Sequence, residues 1–241
     1  ENFIKDCVLN LVIILNNINL RNVNKIIYTS SSSVYSLEEN LRNINDDKFN
    51  RKIYASFKYS AERILENFCK QKKINFYIMR IFNSYGDSND KFSFIEKLIK
   101  IKKLKLKLNL LNNGISLRDF IHIDDVANIY KKFLYNNYDS GVYDIGTGEG
   151  KLIKHIVDFV NIDKRNIVKL NNVAETTKSV ANTKKLQTQL GKYKFKSLET
   201  YLKHKLFIKN KKNIFSIKLD HTKGMYEGSA IYGAGFAGKK L

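Results

Sequence analysis

The chain has no proline and no tryptophan, and only two cysteines and four histidines in 241 residues. Cys7 and Cys69 lie in helical patterns with no metal-type spacing, so two reduced thiols packed as small apolar groups are expected. His122, His155, His204 and His221 are scattered, and no metal site is expected. No apolar run reaches the roughly 18 residues that span a bilayer, so no membrane segment or membrane partner is expected. Residue 1 is Glu, and no charged-then-apolar leader precedes the first helical pattern. A cytoplasmic protein with a cut start fits these shortages.

Acidic residues are also short: 43 Lys and Arg stand against 23 Asp and Glu, a net charge of +20. Such a charge suits a nucleic-acid partner. The bases, however, run from Lys5 to Lys240, interleaved with Asn and Ile, and no stacking or groove-reading motif accompanies them. AT-rich coding produces this bias without selection on charge, so no nucleic-acid partner is expected. What is present, 43% hydrophobic and 12% aromatic residues, suits a soluble globular protein with a substantial core.

Periodicity supplies the elements. Val8, Leu11, Val12 and Leu15 recur at helical spacing between Asp6 and Asn17. Lys25–Ser30 reads as a short buried strand, Tyr54–Lys72 as a long amphipathic helix, and Phe76–Arg80 as a second strand. Strand, helix, strand is the βαβ unit of a parallel sheet. Beyond it the pattern predicts a helix over Phe92–Lys103, a one-sided edge strand over Lys105–Leu110 and a strand over Leu117–Ile123. A helix capped by Asp124 or Asp125 follows, then a strand over Gly141–Ile145 and a helix over Leu152–Val160. Asn166–Leu170 reads as one more strand, and Asn182 and Ser197 as caps of two last helices ending near Phe207. The fold class is α/β: a Rossmann-like parallel sheet with helices on both faces. A smaller substrate-binding part is built from Phe92–Leu117 and the region beyond Gly146.

Three features fall in a fixed order. The first strand ends in a hydroxyl cluster, Thr29 to Ser33, followed by Val34 and Tyr35. Tyr54 and Lys58 are four apart, hence on one helix face. Arg80-Ile-Phe-Asn-Ser-Tyr-Gly86 then closes the next strand. Ligands of parallel sheets bind beyond the carboxyl ends of the strands. A hydroxyl, a phenol and an ammonium at that edge form a proton-transfer set, in which the lysine cation is expected to lower the phenol's pKa. A second Tyr-x-x-x-Lys, Tyr201 to Lys205, follows no hydroxyl-ended strand and is expected to face solvent.

SSSSVY, YASFK, RIFNSYG, LRDFIHIDDVA and VYDIGTG, in that order, resemble the blocks of extended short-chain dehydrogenases, the NAD-dependent nucleotide-sugar epimerases and dehydratases. The resemblance runs from about Asn10 to Tyr201. It implies an enzyme with catalytic Ser31, Tyr54 and Lys58. Ser31 would hydrogen-bond the reacting sugar hydroxyl, Tyr54 would act as general base or acid, and Lys58 with Tyr54 would hold the nicotinamide ribose of NAD or NADP. It implies that Ser32, Asn83 and Arg118 contact a nucleotide-diphosphate sugar, Arg118 at the diphosphate. The alternative for Arg118 and Asp119 is a structural ion pair, and Gly146-Thr147-Gly148 is read as a structural strand exit. A homodimer is implied as well, through the helices Asp6–Asn17 and Tyr54–Lys72. The family's 4,6-dehydratases carry Asp-Glu directly after the catalytic Ser or Thr; here Ser32 and Ser33 stand there. Epimerization at C4 is therefore expected over dehydration or reduction. A non-catalytic fragment or scaffold is the reading of another class.

The family opens with a strand, a Gly-rich turn and an acidic residue that bind the dinucleotide, and nothing before Glu1 supplies them. About the first third of such an enzyme is expected to be missing. After a linker over 209–228, Gly233, Gly235 and Gly238 form G-x-G-x-x-G behind the apolar residues Ala230–Tyr232, a cofactor-binding turn. Residues 229–241 are read as the start of a second dinucleotide-binding domain; a permuted front end and a chance match are the alternatives. Residues 1–208 form the catalytic and substrate-binding part.

Overall fold

The structure is a computed structural model that describes residues 5–35, 49–87, 89–90, 92–173, 176–207 and 229–232. A π-helical turn, Lys5–Leu9, leads into α1 (Asn10–Asn17), β1 (Lys25–Ser31), α2 (Phe49–Lys72), β2 (Asn75–Ile81) and β3 (Asn83–Tyr85). Then come α3 (Phe94–Leu104), β4 (Leu108–Leu111), β5 (Leu117–His122), α4 (Ile123–Tyr135), β6 (Gly141–Ile145) and β7 (Gly150–Leu152). The chain continues through α5 (Ile153–Val160), β8 (Ile167–Leu170), β9 (Lys178–Ser179), α6 (Lys184–Leu190), α7 (Leu198–Phe207) and β10 (Ser229–Tyr232).

The main sheet is parallel, in the order β10-β1-β2-β6. Alternation of side chains along each strand sends one set to each face. Ile27, Tyr77, Met79, Tyr143 and Ile145 pack with Val126, Ile129 and Phe133 of α4 and Leu186 of α6. On the other face Ile26, Tyr28, Phe76 and Ile78 pack with Leu11 and Leu15 of α1 and Ala61, Leu65 and Cys69 of α2. A sheet covered on both faces has near-continuous apolar strands, which is why KIIY and FYIM are legible in the sequence. Both cysteines are free and buried, as their helical settings predict.

The smaller part has its own core, in which Ile95, Leu98 and Ile99 of α3 meet Ile156, Val157 and Val160 of α5 and Leu198 and Leu202 of α7. Two short assemblies edge it: the parallel pair β4–β8, and β5 with β3, β7 and β9. The Lys-Leu alternation does not make a strand from Lys105. Helix α3 runs to Leu104, Lys105 closes it in the left-handed conformation (φ 53°), and pairing starts at Leu108. The alternation is the tail of one helix joined to the head of one strand.

Helix α4 is capped by neither aspartate. His122 Nδ1 accepts the Asp124 N–H at 3.1 Å, while the Asp125 carboxylate is drawn to the Lys196 N–H (2.8 Å) and the Tyr193 hydroxyl (3.2 Å). The second Tyr-x-x-x-Lys also differs from its expectation. Tyr201 is half-buried, its hydroxyl donates to Glu96 at 2.6 Å, and its ring packs on Tyr85 and His122.

The linker 209–228 and Gly233, Gly235 and Gly238 lie outside the described residues. The strand before those glycines is described: β10 runs parallel to β1, with Ser229 opposite Lys25 and Tyr232 opposite Tyr28.

Candidate active site

Register explains how the sheet ends. On the α2 face, Tyr28, Ile78 and Val142 stand side by side across β1, β2 and β6, and two residues onward the same places hold Ser30, Arg80 and Asp144. An apolar row is thus followed by a polar one at the strands' carboxyl ends. Both its charged members are buried, so each needs partners. Arg80 Nε and Nη2 donate to the two carboxylate oxygens of Glu62 at 3.1 and 2.8 Å. Glu62, fully buried on α2, also accepts the Ser30 hydroxyl at 2.5 Å. The Arg80 guanidinium lies 4.5 Å from the ring centre of Tyr35, whose hydroxyl donates to Asp144 Oδ1 at 2.5 Å. Asp144 Oδ2 accepts the Asn182 N–H at 2.8 Å. Burial pushes the Asp144 carboxyl above its ordinary range, against its bonds to Tyr35 and Asn182 and the nearby Arg80.

Directly above this row sit the residues singled out in the sequence. Tyr54, Lys58 and Glu62 follow one another at four-residue steps on α2, so the helix pinned by Glu62 also presents the phenol and the ammonium. Tyr54 hydrogen-bonds Ser31, and Ser31 Oγ also accepts the Ser33 N–H at 3.2 Å. Lys58 is almost wholly buried and donates to the Thr29 carbonyl at 3.0 Å. The expected lowering of the phenol's pKa by that ammonium is not found. Burial raises Tyr54 above its ordinary value, the Ser31 hydrogen bond pulls it back, and Cys7 adds to the rise. Burial likewise lowers Lys58, against the pull of Cys7 and Glu62.

The cleft beside them has a volume of about 920 Å³ and is lined by Ser31, Ser32, Ser33, Tyr35, Phe82, Asn83, Arg118, Asp144, Lys178 and Asn182, among others. Asn83 reaches it while donating from Nδ2 to the Asp119 carbonyl at 2.8 Å. Arg118 and Asp119 part company, as neighbours on a strand do. Arg118 lines the cleft, whereas the buried Asp119 carboxylate accepts the N–H of Thr147 (2.9 Å), of Gly148 (2.8 Å) and of Ala181 (3.2 Å), besides the Thr147 hydroxyl (2.6 Å). Gly146-Thr147-Gly148 is thereby a structural exit. A Cβ on Gly146 would stand 2.6 Å from Ala181 Cβ, and Gly148 has φ +80°. Sequence reasoning missed Glu62, Tyr35 and Asp144. Their signals were present: Glu62 extends the Tyr54–Lys58 face by one turn, and Arg80 and Asp144 are charges inside apolar strands.

NAD fits part of this site: a phenol and a buried ammonium share one helix face beside a hydroxyl, at the strand ends where α/β sheets take dinucleotides. The NAD dependent epimerase/dehydratase family matches residues 1–146. ADP-L-glycero-D-manno-heptose-6-epimerase of Brachyspira hyodysenteriae is 33% identical over 140 residues, 53% of this chain and 42% of that protein. dTDP-D-glucose 4,6-dehydratase of Dictyostelium discoideum is 27% identical over 135 residues, 51% of this chain and 31% of that one. The chain therefore spans less than half the length of these curated relatives. Among solved structures, dTDP-glucose 4,6-dehydratase of Bacillus anthracis in complex with NAD superposes with a TM-score of 0.70 at 20% identity, covering 85% of this chain and 67% of that one. UDP-glucose 4-epimerase of Thermotoga maritima with UDP-glucose gives 0.68 at 22% identity, covering 84% and 69%. These structures share the parallel-sheet α/β fold.

Proposed function

The chain belongs to the NAD dependent epimerase/dehydratase family, and from that premise we propose that its cleft epimerizes a nucleoside diphosphate sugar at C4. NAD, when bound, supplies the hydride acceptor and donor. Tyr54 takes the proton of the C4 hydroxyl and later returns it, while Ser31 holds the sugar oxygen by the hydroxyl it now turns to Tyr54. Lys58 and Tyr54 hold the nicotinamide ribose. Arg118 meets the diphosphate, and Ser32 and Asn83 contact the sugar nucleotide from the cleft wall.

The relatives include epimerases and dehydratases, and the lining of the cleft supports the epimerase reading. Loss of water needs an acid for the leaving hydroxyl and a base for the neighbouring C–H. Ser32 and Ser33 follow Ser31, and Asp144, the one carboxylate among the described residues lining the cleft, is held by Tyr35 and Asn182. Nucleotide hexoses incubated with the protein and NAD should give an equilibrating pair of C4 epimers by NMR. A 4-keto-6-deoxy sugar as main product refutes the assignment.

Gly233, Gly235 and Gly238 are the proposed pyrophosphate turn. In the strand order 3-2-1-4-5-6 the glycine turn follows strand 1, which lies beside strand 4. The order β10-β1-β2-β6 matches 1-4-5-6, which supports reading β10 as the strand that precedes such a turn. This seating favours a permuted front end for residues 229–241 over a separate second domain. Calorimetry decides it: NAD should bind the full chain at least about tenfold more tightly than a chain ending at Gly228. Equal affinities remove the glycines from the site.

A homodimer is proposed through α1, the π-helical turn before it and α2, where Leu9 (50% exposed), Ile13 (49%) and Tyr59 (38%) leave an apolar surface. Sedimentation should show a dimer that Ile13→Lys dissociates.

A further inference from the structure

β9 is only two residues long, yet the stretch it opens forms part of the cleft wall, where Lys178, Ser179, Val180 and Asn182 line it. A strand so short is held weakly by its own ladder. Leu117 faces Lys178, Arg118 faces Ser179, and there the pairing with β5 stops. One residue further along β5, the side chain of Asp119 takes over. Its Oδ2 accepts the N–H of Ala181 at 3.2 Å and of Gly148 at 2.8 Å, and its Oδ1 accepts the N–H and the hydroxyl of Thr147 at 2.9 and 2.6 Å. Its backbone carbonyl accepts Nδ2 of Asn83 at 2.8 Å. Gly146 leaves room for this approach, since a Cβ there would stand 2.7 Å from Asp119 Oδ2. Fully buried itself, Asp119 adjoins three parts of the cleft lining: Asn83 through its carbonyl, Arg118 as its neighbour in β5, and the 178–182 wall through Ala181.

We propose that Asp119 is a positioning residue of the substrate site: its carboxylate sets the 178–182 wall against Arg118 before a ligand arrives. The inference rests on the nucleotide-sugar reading above and deepens it. A wall tied only by the two-residue ladder would have to be ordered by the ligand, and that ordering would weaken binding. The carboxylate suits the task because each oxygen accepts two donors at once, so one side chain joins the exit of β6 to the chain beyond β9. A carboxamide of the same shape offers one acceptor oxygen and turns an NH₂ group toward backbone N–H donors. The bond from Asn83 goes to the backbone of Asp119, so a change of side chain loosens the wall and leaves that bond in place.

The test is a set of calorimetric titrations with NAD present throughout. UDP-, dTDP-, GDP-, CDP- and ADP-glucose, added in turn to the wild-type chain, identify the ester that is held. Asp119→Asn should bind that ester about tenfold or more weakly. Thr147→Val is the control. It takes one donor from the same carboxylate, at the strand exit and not at the wall, so it should lower the unfolding midpoint while affinity stays within about twofold. Equal affinities of Asp119→Asn and the wild type, or a loss in Thr147→Val as large as in Asp119→Asn, overturn the inference and leave the nucleotide-sugar reading intact. If none of the esters binds the wild type, both fall. Should Asp119→Asn fail to fold, hydrogen exchange of the wild type carries the test. The Ala181 N–H, followed by NMR, should be protected without ligand, and the ester should slow its exchange by no more than about threefold. Protection that arises only with the ester overturns the inference.

Discussion

The carboxyl edge of the main sheet and the smaller part beyond it hold charge in opposite ways. At the sheet edge Glu62, Arg80 and Asp144 are buried, and each is held by at least two partners. In the smaller part the core of α3, α5 and α7 is apolar, with one buried carboxylate at its margin, Glu96, which accepts from the Tyr201 hydroxyl and the Gly86 N–H, and its ion pairs meet at the surface. The Lys151–Glu199 pair, at 2.8 Å, keeps 30% and 44% of its side chains exposed. Buried charges must be matched or they unfold the protein; surface charges can be exchanged with water at little cost. On the proposed function the sheet edge is where an error of position would damage chemistry, and there the fold uses interactions that tolerate no loose partner.

The largest expected effect lies above the buried row. Tyr54→Phe keeps the ring and removes the hydroxyl that hydrogen-bonds Ser31. General acid–base groups contribute ~10²–10⁴ in rate. Turnover of a nucleotide hexose should fall by that factor while its affinity stays within about threefold. A variant with nearly full turnover removes Tyr54 from the mechanism.

Next comes the row itself. Arg80→Met keeps most of the side-chain volume and takes from the buried Glu62 carboxylate its bidentate partner, leaving the Ser30 hydroxyl and the more distant Arg63 at 3.9 Å. Removing one partner of a buried pair costs about 3–5 kcal/mol. Urea unfolding should therefore show a large drop in midpoint. A midpoint near that of the wild type means that Glu62 takes up a proton or finds water, and the row is then less closed than its geometry shows.

Ser31, Tyr54, Lys58, Asn83 and Arg118, the proposed site residues, could be singled out in the sequence because each belongs to a short run with fixed spacing, and the spacing of a strand end or a helix turn is local. Their partners could not. Ser30, Arg80 and Asp144 come from three strands, and register alone aligns them, a property of pairing that no single segment carries. β3, β7 and β9 escaped for a related reason: each has two or three residues, too few for a period to show. The Lys-Leu run misled because alternation over six residues also fits a helix end followed by a strand start. For Ser229–Tyr232 the sequence supplied the strand and its glycines, but not its neighbour, which is β1.

The smallest effect expected is in the smaller part, at Lys151–Glu199. Burial pushes the Glu199 carboxyl up, but its bonds to Lys151 and Ser197 outweigh this and hold it below its ordinary value. A carboxyl held lower in the folded than in the unfolded chain adds stability above the unfolded pKa, about 4.3 for Glu. That contribution disappears as pH falls through the lower, folded value. Lys151→Ala should therefore destabilise the protein by only about 0.2–1 kcal/mol near neutral pH, the range of exposed pairs. The difference from wild type should vanish once the pH is below both values, and salt should shrink it further, because an exposed pair is screened. Paired urea titrations at neutral and acid pH read it directly. A loss as large as that of Arg80→Met would show that the pair is shielded from solvent, and the contrast between the two regions would fail.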